Sequence, residues 1–148
     1  MPTTLGFGAA ARSIELKTNQ QRSALRQSTA LGNQPALDEL IAVAQECHEP
    51  NWDGYGARAV TPRALSDAFR FLQSLPYGFP LPSVGAEPDG HVTLEWYSSV
   101  RRSLSVSIDP DGYLHFAALM GTNHLYGTFT FFETAPRELL RLIREVCG

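Results

Sequence analysis

The sequence predicts an α+β domain in which helices cover one face of an antiparallel sheet. Apolar residues recur with helical spacing before residue 76 and after residue 134, whereas between these points they alternate with polar residues as in half-buried strands. Two Pro-Asp-Gly tripeptides lie inside the alternating part and predict tight turns between neighbouring strands. Strands grouped together and flanked by helices are typical of folds with separate helical and sheet layers.

The length and the charge distribution predict one domain preceded by a tail. The 148 residues, of which 43% are hydrophobic, suffice for one core, and we expect this domain to span residues 35–148. Residues 1–34 carry four basic residues and one acidic residue, or 4 − 1 = +3, while the domain carries 8 − 14 = −6. We expect a flexible basic tail over residues 1–34, with a weak helix over residues 13–31 at most.

Two helices are predicted before the sheet. An apolar stripe of helical period predicts the first over residues 35–48. Thr61 is suited to cap the second helix, Pro62 fits its first position, and Pro76 ends it. The loop that connects the two helices therefore includes residues 49–60, and we call it the helix-connecting loop.

Four or five antiparallel strands in a meander are predicted next, followed by a C-terminal helix. The segments with alternating polarity are 91–97, 103–108, 113–118 and 124–132. The last helix is predicted to be capped by Thr134, with Pro136 in its first turn. Its apolar stripe predicts packing on one face of the sheet.

Composition argues against several classes of protein. No apolar run approaches the roughly 18 to 20 residues that cross a bilayer, and the first residues lack a signal-peptide pattern, so we expect a cytoplasmic protein without a membrane partner. Cys47 and Cys147 are far apart and neither has a second ligand at zinc-binding spacing. We therefore expect no disulfide framework, no metal and no cofactor.

The helix-connecting loop combines aromatic residues with glycines. Trp52 and Tyr55 supply rigid contact area on an adaptable backbone, which is typical of interface anchors. Together with Asp53 and Arg58 they are predicted to bind a protein partner. A structural interpretation stays open, in which Asp53 makes a tight turn and one aromatic ring packs over the helices.

The polar residues of the strands are expected to share the sheet face opposite the helices, which we call the polar face. Its predicted members are His91, Glu95, Tyr97, Ser103, Ser105, Ser107, His115, His124 and Tyr126. Tyr97, His115 and Tyr126 are the predicted partner-binding residues on this face. A metal or acid–base site among its histidines is an alternative, since ligands on different strands meet only if strand register permits.

Catalysis and nucleic-acid binding are the competing hypotheses. Asp53, Glu95 and His48 are candidate groups for a small metal-assisted hydrolase or nuclease, but they match no known catalytic motif. Arg101 and Arg102 lie between strands whose tyrosines have the π-faces needed to stack bases, yet the domain is acidic. We therefore favour a non-enzymatic protein and leave enzymatic activity open.

Four segments carry a resemblance: NWDGYGA, EPDGHVTLEW, RRSLSVSIDPDGY and GTFTF. They resemble a group of small uncharacterised bacterial proteins with W-D-G-Y-G-A and P-D-G-x-V-x-L-E-W motifs, over about residues 50–146. The resemblance assigns no catalytic residue and implies an accessory protein of the kind found on mobile elements. We expect a protein-binding or regulatory factor of antitoxin, immunity or phage-related type, and a homodimer is equally compatible with the sequence.

Overall fold

The computed structural model describes residues 32–148, so residues 1–31 of the predicted tail, including the weak helix, lie outside the described residues. The elements are α1 (Gln34–Glu46), α2 (Pro62–Ser74), β1 (Ser83–Ala86), β2 (Val92–Ser99), β3 (Arg102–Ile108), β4 (Tyr113–Met120), β5 (Asn123–Thr130) and α3 (Arg137–Cys147). The strands form one antiparallel sheet in the order β1-β2-β3-β4-β5, which confirms the predicted α+β class and meander. Among these helices, none has the length and apolar character of a bilayer span.

Polar side chains cap α2 and attach α1 to it. The Thr61 hydroxyl accepts a hydrogen bond from the Ala64 N–H at 3.1 Å, which confirms the predicted cap of α2. α1 begins at Gln34, one residue earlier than predicted. The Asn33 side-chain amide donates to the Leu72 carbonyl at 3.0 Å, so the start of α1 is attached to the end of α2.

Both Pro-Asp-Gly segments form turns with the same backbone pattern. In residues 87–91, the first turn, Gly90 has a φ of +89°, and the end residues are joined by an N–H to carbonyl bond of 3.0 Å. In residues 109–113, the second turn, Gly112 has a φ of +93°, and the corresponding bond is 3.1 Å. Glycine adopts this left-handed conformation without the steric cost of a Cβ atom, so the turn chemistry explains both hairpins.

The helices of residues 32–148 pack on the apolar face of the sheet, mainly against β1, β2 and β3. The largest fully buried side chains in this layer are Trp96, Phe71, Leu72, Leu94, Leu104, Ile108, Leu114, Leu139 and Ile143. The Trp96 ring lies 6.4 Å from the Phe71 ring, and its indole N–H donates to the Pro80 carbonyl at 2.9 Å. This bond satisfies the only polar atom of a buried tryptophan side chain, so the ring is held at the centre of the core.

The start of α3 differs from the prediction. The helix begins at Arg137 and is preceded by Pro136 without a side-chain cap, so the predicted cap at Thr134 is wrong. The nearby Ala135 N–H donates to the Ser74 hydroxyl at 2.8 Å. This contact with α2 holds the chain outside the helix until Pro136, whose missing N–H suits a helix start.

The two edge strands depart from the simple alternating pattern. β1 has four residues, too few for alternating polarity to predict a strand. Its Val84 N–H donates to the Glu39 carboxylate of α1 at 2.8 Å. Burial raises the pKa of Glu39, against the opposing effect of this hydrogen bond. At the other edge, Leu125 in β5 is 45% exposed because the helices pack mainly on β1 to β3. The expected covering of the apolar face therefore reaches Phe129 of β5, which packs against the core, but not Leu125.

Candidate functional site: the helix-connecting loop and the polar sheet face

The helix-connecting loop is organised by its own polar side chains. Asp53 Oδ1 accepts hydrogen bonds from the N–H groups of Tyr55 at 2.8 Å and Ala57 at 3.0 Å. The side-chain oxygen of Asn51 accepts one from the Gly56 N–H at 2.6 Å. Asp53 therefore has a structural part in closing the loop, as the structural interpretation expects of an aspartate beside a glycine.

The two predicted aromatic anchors differ in exposure. Trp52 is half-buried against the core, and its indole N–H donates to the Arg58 carbonyl at 2.8 Å. Tyr55 is 79% exposed. His48 is exposed at the end of α1, where its Nε2 lies 3.6 Å from a carboxylate oxygen of Glu49. Of the two predicted anchors, Tyr55 therefore presents the larger accessible surface, while Trp52 contributes mainly to packing.

The helix-connecting loop meets the sheet at the first turn. The Arg58 N–H donates to the Pro88 carbonyl at 2.8 Å. A Cβ atom on Gly90 would lie 2.9 Å from the Ala59 carbonyl oxygen, so the close approach requires glycine there. The loop and this end of the sheet, which the sequence treats as separate candidate sites, are therefore adjacent.

Strand register confirms that the predicted polar residues share one face. Each row of cross-strand neighbours runs from β2 through β3 and β4 to β5. The rows are Tyr97, Ser103, Leu119 and His124; Glu95, Ser105, Ala117 and Tyr126; and Thr93, Ser107, His115 and Thr128. Tyr126 is 79% exposed at the β5 end of its row. His48 and Asp53 make their contacts with their own neighbours in the chain.

Near the two turns, the polar face carries a connected group of imidazole, carboxylate and hydroxyl side chains. His115 Nε2 lies 2.8 Å from Asp109 Oδ2, and its Nδ1 lies 3.1 Å from the Thr128 hydroxyl. His91 Nδ1 lies 3.2 Å from the Ser107 hydroxyl. The two imidazole rings are stacked with their centroids 6.0 Å apart. The arrangement presents both donors and acceptors of hydrogen bonds and can therefore bind polar groups.

Asp109 connects this group to the second turn. Its Oδ1 accepts hydrogen bonds from the N–H groups of Asp111 at 2.8 Å and Tyr113 at 3.0 Å. Burial alone would raise the pKa of Asp109, but the hydrogen bond with His115 and the two backbone bonds together lower it below its ordinary value. Asp109 is not among the predicted site residues, although a carboxylate before a Pro-Asp-Gly turn is a typical acceptor for backbone N–H groups.

We expect the Asp109 carboxylate to make stability depend on pH. Because its pKa is lower in the folded chain, its stabilising contribution is present above the ordinary value of 3.8 and is lost as the pH falls through the folded-state pKa. In His115→Ala this contribution should be smaller, so the free energy of unfolding should fall less between about pH 6 and about pH 3. Urea denaturation at both pH values measures the difference. His124→Ala, at an exposed position of the same face, is the control, and equal losses in both variants would contradict the assignment.

The arginine predicted beside the tyrosines has a structural contact. Arg102 Nε donates to the Val146 carbonyl at 3.4 Å, and its Nη2 donates to the Glu145 carbonyl. These carbonyls belong to the last turn of α3, where backbone oxygens lack partners within the helix and attract cations. Because the Arg102 guanidinium already binds these carbonyls, it gives less support to phosphate binding at the turn between β2 and β3.

The two cysteines offer no activated nucleophile. Both are free thiols, with Cys47 buried and Cys147 half-buried. Burial raises the pKa of each thiol to about 11. The reactive thiolate is therefore a minor form near neutral pH.

Comparisons with known proteins leave the site to be interpreted from its own geometry. No protein-family model, curated protein or solved structure matches the chain. Among residues 32–148, the features that bear on function are the accessible tyrosines, the acidic turns and the position of the helices on the other side of the sheet.

Proposed function

We propose that the protein is a non-enzymatic factor that binds another protein through the polar face and the helix-connecting loop. The observation that carries the proposal is the layer arrangement: the helices of residues 32–148 pack on the apolar face and leave the polar face of β2 to β5 uncovered by them. The accessory or regulatory role, of antitoxin, immunity or phage-related type, and the cytoplasmic location suggested by the sequence belong to the same proposal.

The side chains of this surface suit a protein interface. Tyr126 is 79% exposed and Tyr113 is 44% exposed on the polar face, and Tyr55 is 79% exposed on the adjacent loop. Tyrosine provides a large contact area with a polar tip and loses little conformational freedom on binding. The serine and threonine hydroxyls around them both donate and accept hydrogen bonds. The surface therefore combines anchors with adaptable polar contacts.

The charge of the surface indicates the chemistry of the partner. Glu87 and Asp89 in the first turn and Asp109 and Asp111 in the second turn place four carboxyl groups at one end of the polar face. Residues 35–148 carry a net charge of 8 − 14 = −6. Complementary charge raises the association rate and excludes wrong partners. We therefore propose a protein partner with a basic surface, and this acidity disfavours nucleic acid.

The same geometry gives less support to the hydrolase and nuclease alternatives. Asp109, His115 and Thr128 are aligned in the order carboxylate, imidazole and hydroxyl, which is the arrangement that activates a nucleophile. However, Thr128 is exposed on an edge strand, and the His115 side chain is 43% exposed. Catalytic charges are stabilised most strongly where water is excluded, so an open sheet surface favours binding over catalysis.

An affinity pull-down from a lysate of the source organism tests the proposal. The wild-type protein is compared with Tyr126→Ala on the polar face and with Phe69→Ala on α2, whose side chain is 45% exposed on the helical layer. We expect a stoichiometric protein to be retained by the wild type and by Phe69→Ala. Loss of the Tyr126 anchor should weaken its binding by about tenfold or more.

The stability of the two variants provides the control. Both side chains are exposed, so both variants should unfold close to the wild-type denaturant midpoint. Absence of any stoichiometric protein, or equal retention by Tyr126→Ala and the wild type, would contradict the proposed interface. Trp52→Ala is a less direct test, because Trp52 also packs against the core.

A further inference from the structure

Three metal-binding groups converge in the first turn. A carboxylate oxygen of Glu87, a carboxylate oxygen of Asp89 and a ring nitrogen of His91 all lie within 4.8 Å of one another. We propose that these residues form a binding site for a divalent transition-metal ion, Zn²⁺ in the first instance. The site does not depend on the proposed protein-binding function. The sequence-based expectation of no metal rests on the spacing of cysteines and histidines, which does not reveal a site made of two carboxylates and one imidazole.

The distances between the groups suit a shared ion. His91 Nδ1 lies 3.6 Å from Asp89 Oδ2. Two ligands that each lie about 2.0 to 2.2 Å from a tetrahedral zinc ion are about 3.3 to 3.6 Å apart. The Ser107 hydroxyl lies 3.2 Å from the same Nδ1 and 3.4 Å from Glu87 Oε1, so the third ligand is close to the first two. Small side-chain rotations therefore suffice for coordination.

The backbone of the first turn holds the ligands in this arrangement. The His91 N–H donates to Asp89 Oδ1 at 3.0 Å, which leaves Oδ2 of the same carboxylate beside the imidazole. The Gly90 N–H donates to the Glu87 carbonyl at 2.8 Å, and the turn is closed by the bond between its end residues. A site that is largely formed before binding loses less conformational entropy when the ion arrives.

A buried hydroxyl beside the group gives a second, independent observation. Thr93 Oγ1 is inaccessible to solvent and has no hydrogen-bond partner among residues 32–148. Thr93 lies directly across from Ser107 and on the same face as His91, at a Cβ separation of about 4.5 to 5.5 Å for such neighbours. Because the Ser107 hydroxyl donates to Glu87 Oε1 and contacts His91 Nδ1, an ion that takes both of these ligand atoms would free the hydroxyl to bond Thr93. Metal binding would thereby satisfy a buried polar atom that is costly to leave unpaired.

The ligand types favour Zn²⁺ over Mg²⁺ and Ca²⁺. Imidazole nitrogen is a good ligand for zinc and its neighbours in the transition series, whereas Mg²⁺ and Ca²⁺ require larger sets of oxygen ligands. Three protein ligands leave a fourth position for water or for a group from another molecule. The second turn has Asp109, Asp111 and Tyr113 at the corresponding positions, so it has no imidazole at the fifth position, and its Asp109 carboxylate is paired with His115 of β4. It therefore supplies a matched control within the same chain.

Calorimetric titration of the tag-free, full-length protein with Zn²⁺ tests the site, with Co²⁺ absorption as a spectroscopic measure of coordination geometry. We expect one ion per chain, with a Kd on the order of 1 μM. His91→Tyr, which introduces the residue found in the second turn, should bind at least tenfold more weakly. Asp89→Asn keeps the oxygen that accepts the His91 N–H and should show a similar loss, whereas Asp111→Asn should bind like the wild type.

Several results would overturn the proposal. These are a wild-type protein that does not bind Zn²⁺, an Asp89→Asn variant that binds as tightly as Asp111→Asn, and Mg²⁺ binding as tight as Zn²⁺ binding. If His91→Tyr does not fold, the comparison of Asp89→Asn with Asp111→Asn tests the site instead. Each of these variants changes only one exposed side chain of a turn, so both are expected to fold. Loss of the Co²⁺ spectrum in Asp89→Asn alone would support the assignment.

Discussion

The Gly90→Ala variant should lose about 3 kcal/mol of its free energy of unfolding. Its φ of +89° is a conformation that costs a residue with a side chain about 1 to 2 kcal/mol. In addition, the new Cβ atom would lie 2.9 Å from the Ala59 carbonyl oxygen, which belongs to the backbone of the helix-connecting loop. The loop can relieve this contact only by moving away from the first turn, which weakens the bond from the Arg58 N–H to Pro88. Urea denaturation measures the loss, and faster hydrogen exchange at Arg58 would locate it.

Gly112→Ala is the matched control for this prediction. Gly112 has the same position in the second turn and a φ of +93°, so the conformational cost is shared. Its new Cβ atom would meet the end of the Arg63 side chain, which can rotate away. We expect a loss of about 1 to 2 kcal/mol. Equal losses in the two variants would show that the contact between the loop and the first turn contributes nothing to stability.

Trp96→Ala should have the largest effect of the core substitutions, about 4 kcal/mol. The side chain is fully buried, so its removal leaves a cavity beside Phe71 in addition to the lost transfer free energy. The Pro80 carbonyl also loses the indole N–H that satisfies it. Because a domain of this size is typically stable by about 5 to 15 kcal/mol, the loss would be a large fraction of the total stability. Urea denaturation followed by circular dichroism measures it.

Trp52→Ala is the control for the core substitution. Trp52 is half-buried and donates one hydrogen bond to the Arg58 carbonyl, so we expect a clearly smaller loss of about 1 to 2 kcal/mol. Each variant retains the other tryptophan as a fluorescent reporter of unfolding. A loss in Trp52→Ala as large as that in Trp96→Ala would contradict the different roles of the two rings.

The parts of the fold that could be predicted are those set by interactions between residues close in the chain. Thr61 caps α2 because its hydroxyl reaches an N–H three residues later, and the Pro-Asp-Gly turns depend on the conformation of one glycine. The start of α3 was not predictable in the same way, and the cap expected at Thr134 is wrong. There the deciding contact joins Ala135 to Ser74, 61 residues apart, and no local pattern reports such a contact.

The candidate site could be predicted as a set of residues but not as an arrangement. Alternation along the strands indicates which side chains share the polar face, because successive residues point to opposite faces. Which of them touch depends on register, and this is why the pairing of His115 with Asp109 is absent from the sequence-based interpretation. The convergence of Glu87, Asp89 and His91 depends on the shape of the turn, which a spacing of two residues does not specify.

The two turns use one backbone design for different chemistry. Each has a glycine with a φ near +90° and a backbone hydrogen bond between its end residues. Carboxylates at the first or third position also accept backbone N–H groups, whereas the fifth residue is histidine in one turn and tyrosine in the other, so the side chain at the fifth position changes while the hairpin is preserved. The molecule thus has two turns of the same backbone conformation, one with a histidine at its fifth position and one with a tyrosine. A substitution at this position can therefore change the chemistry of the surface without a change of fold.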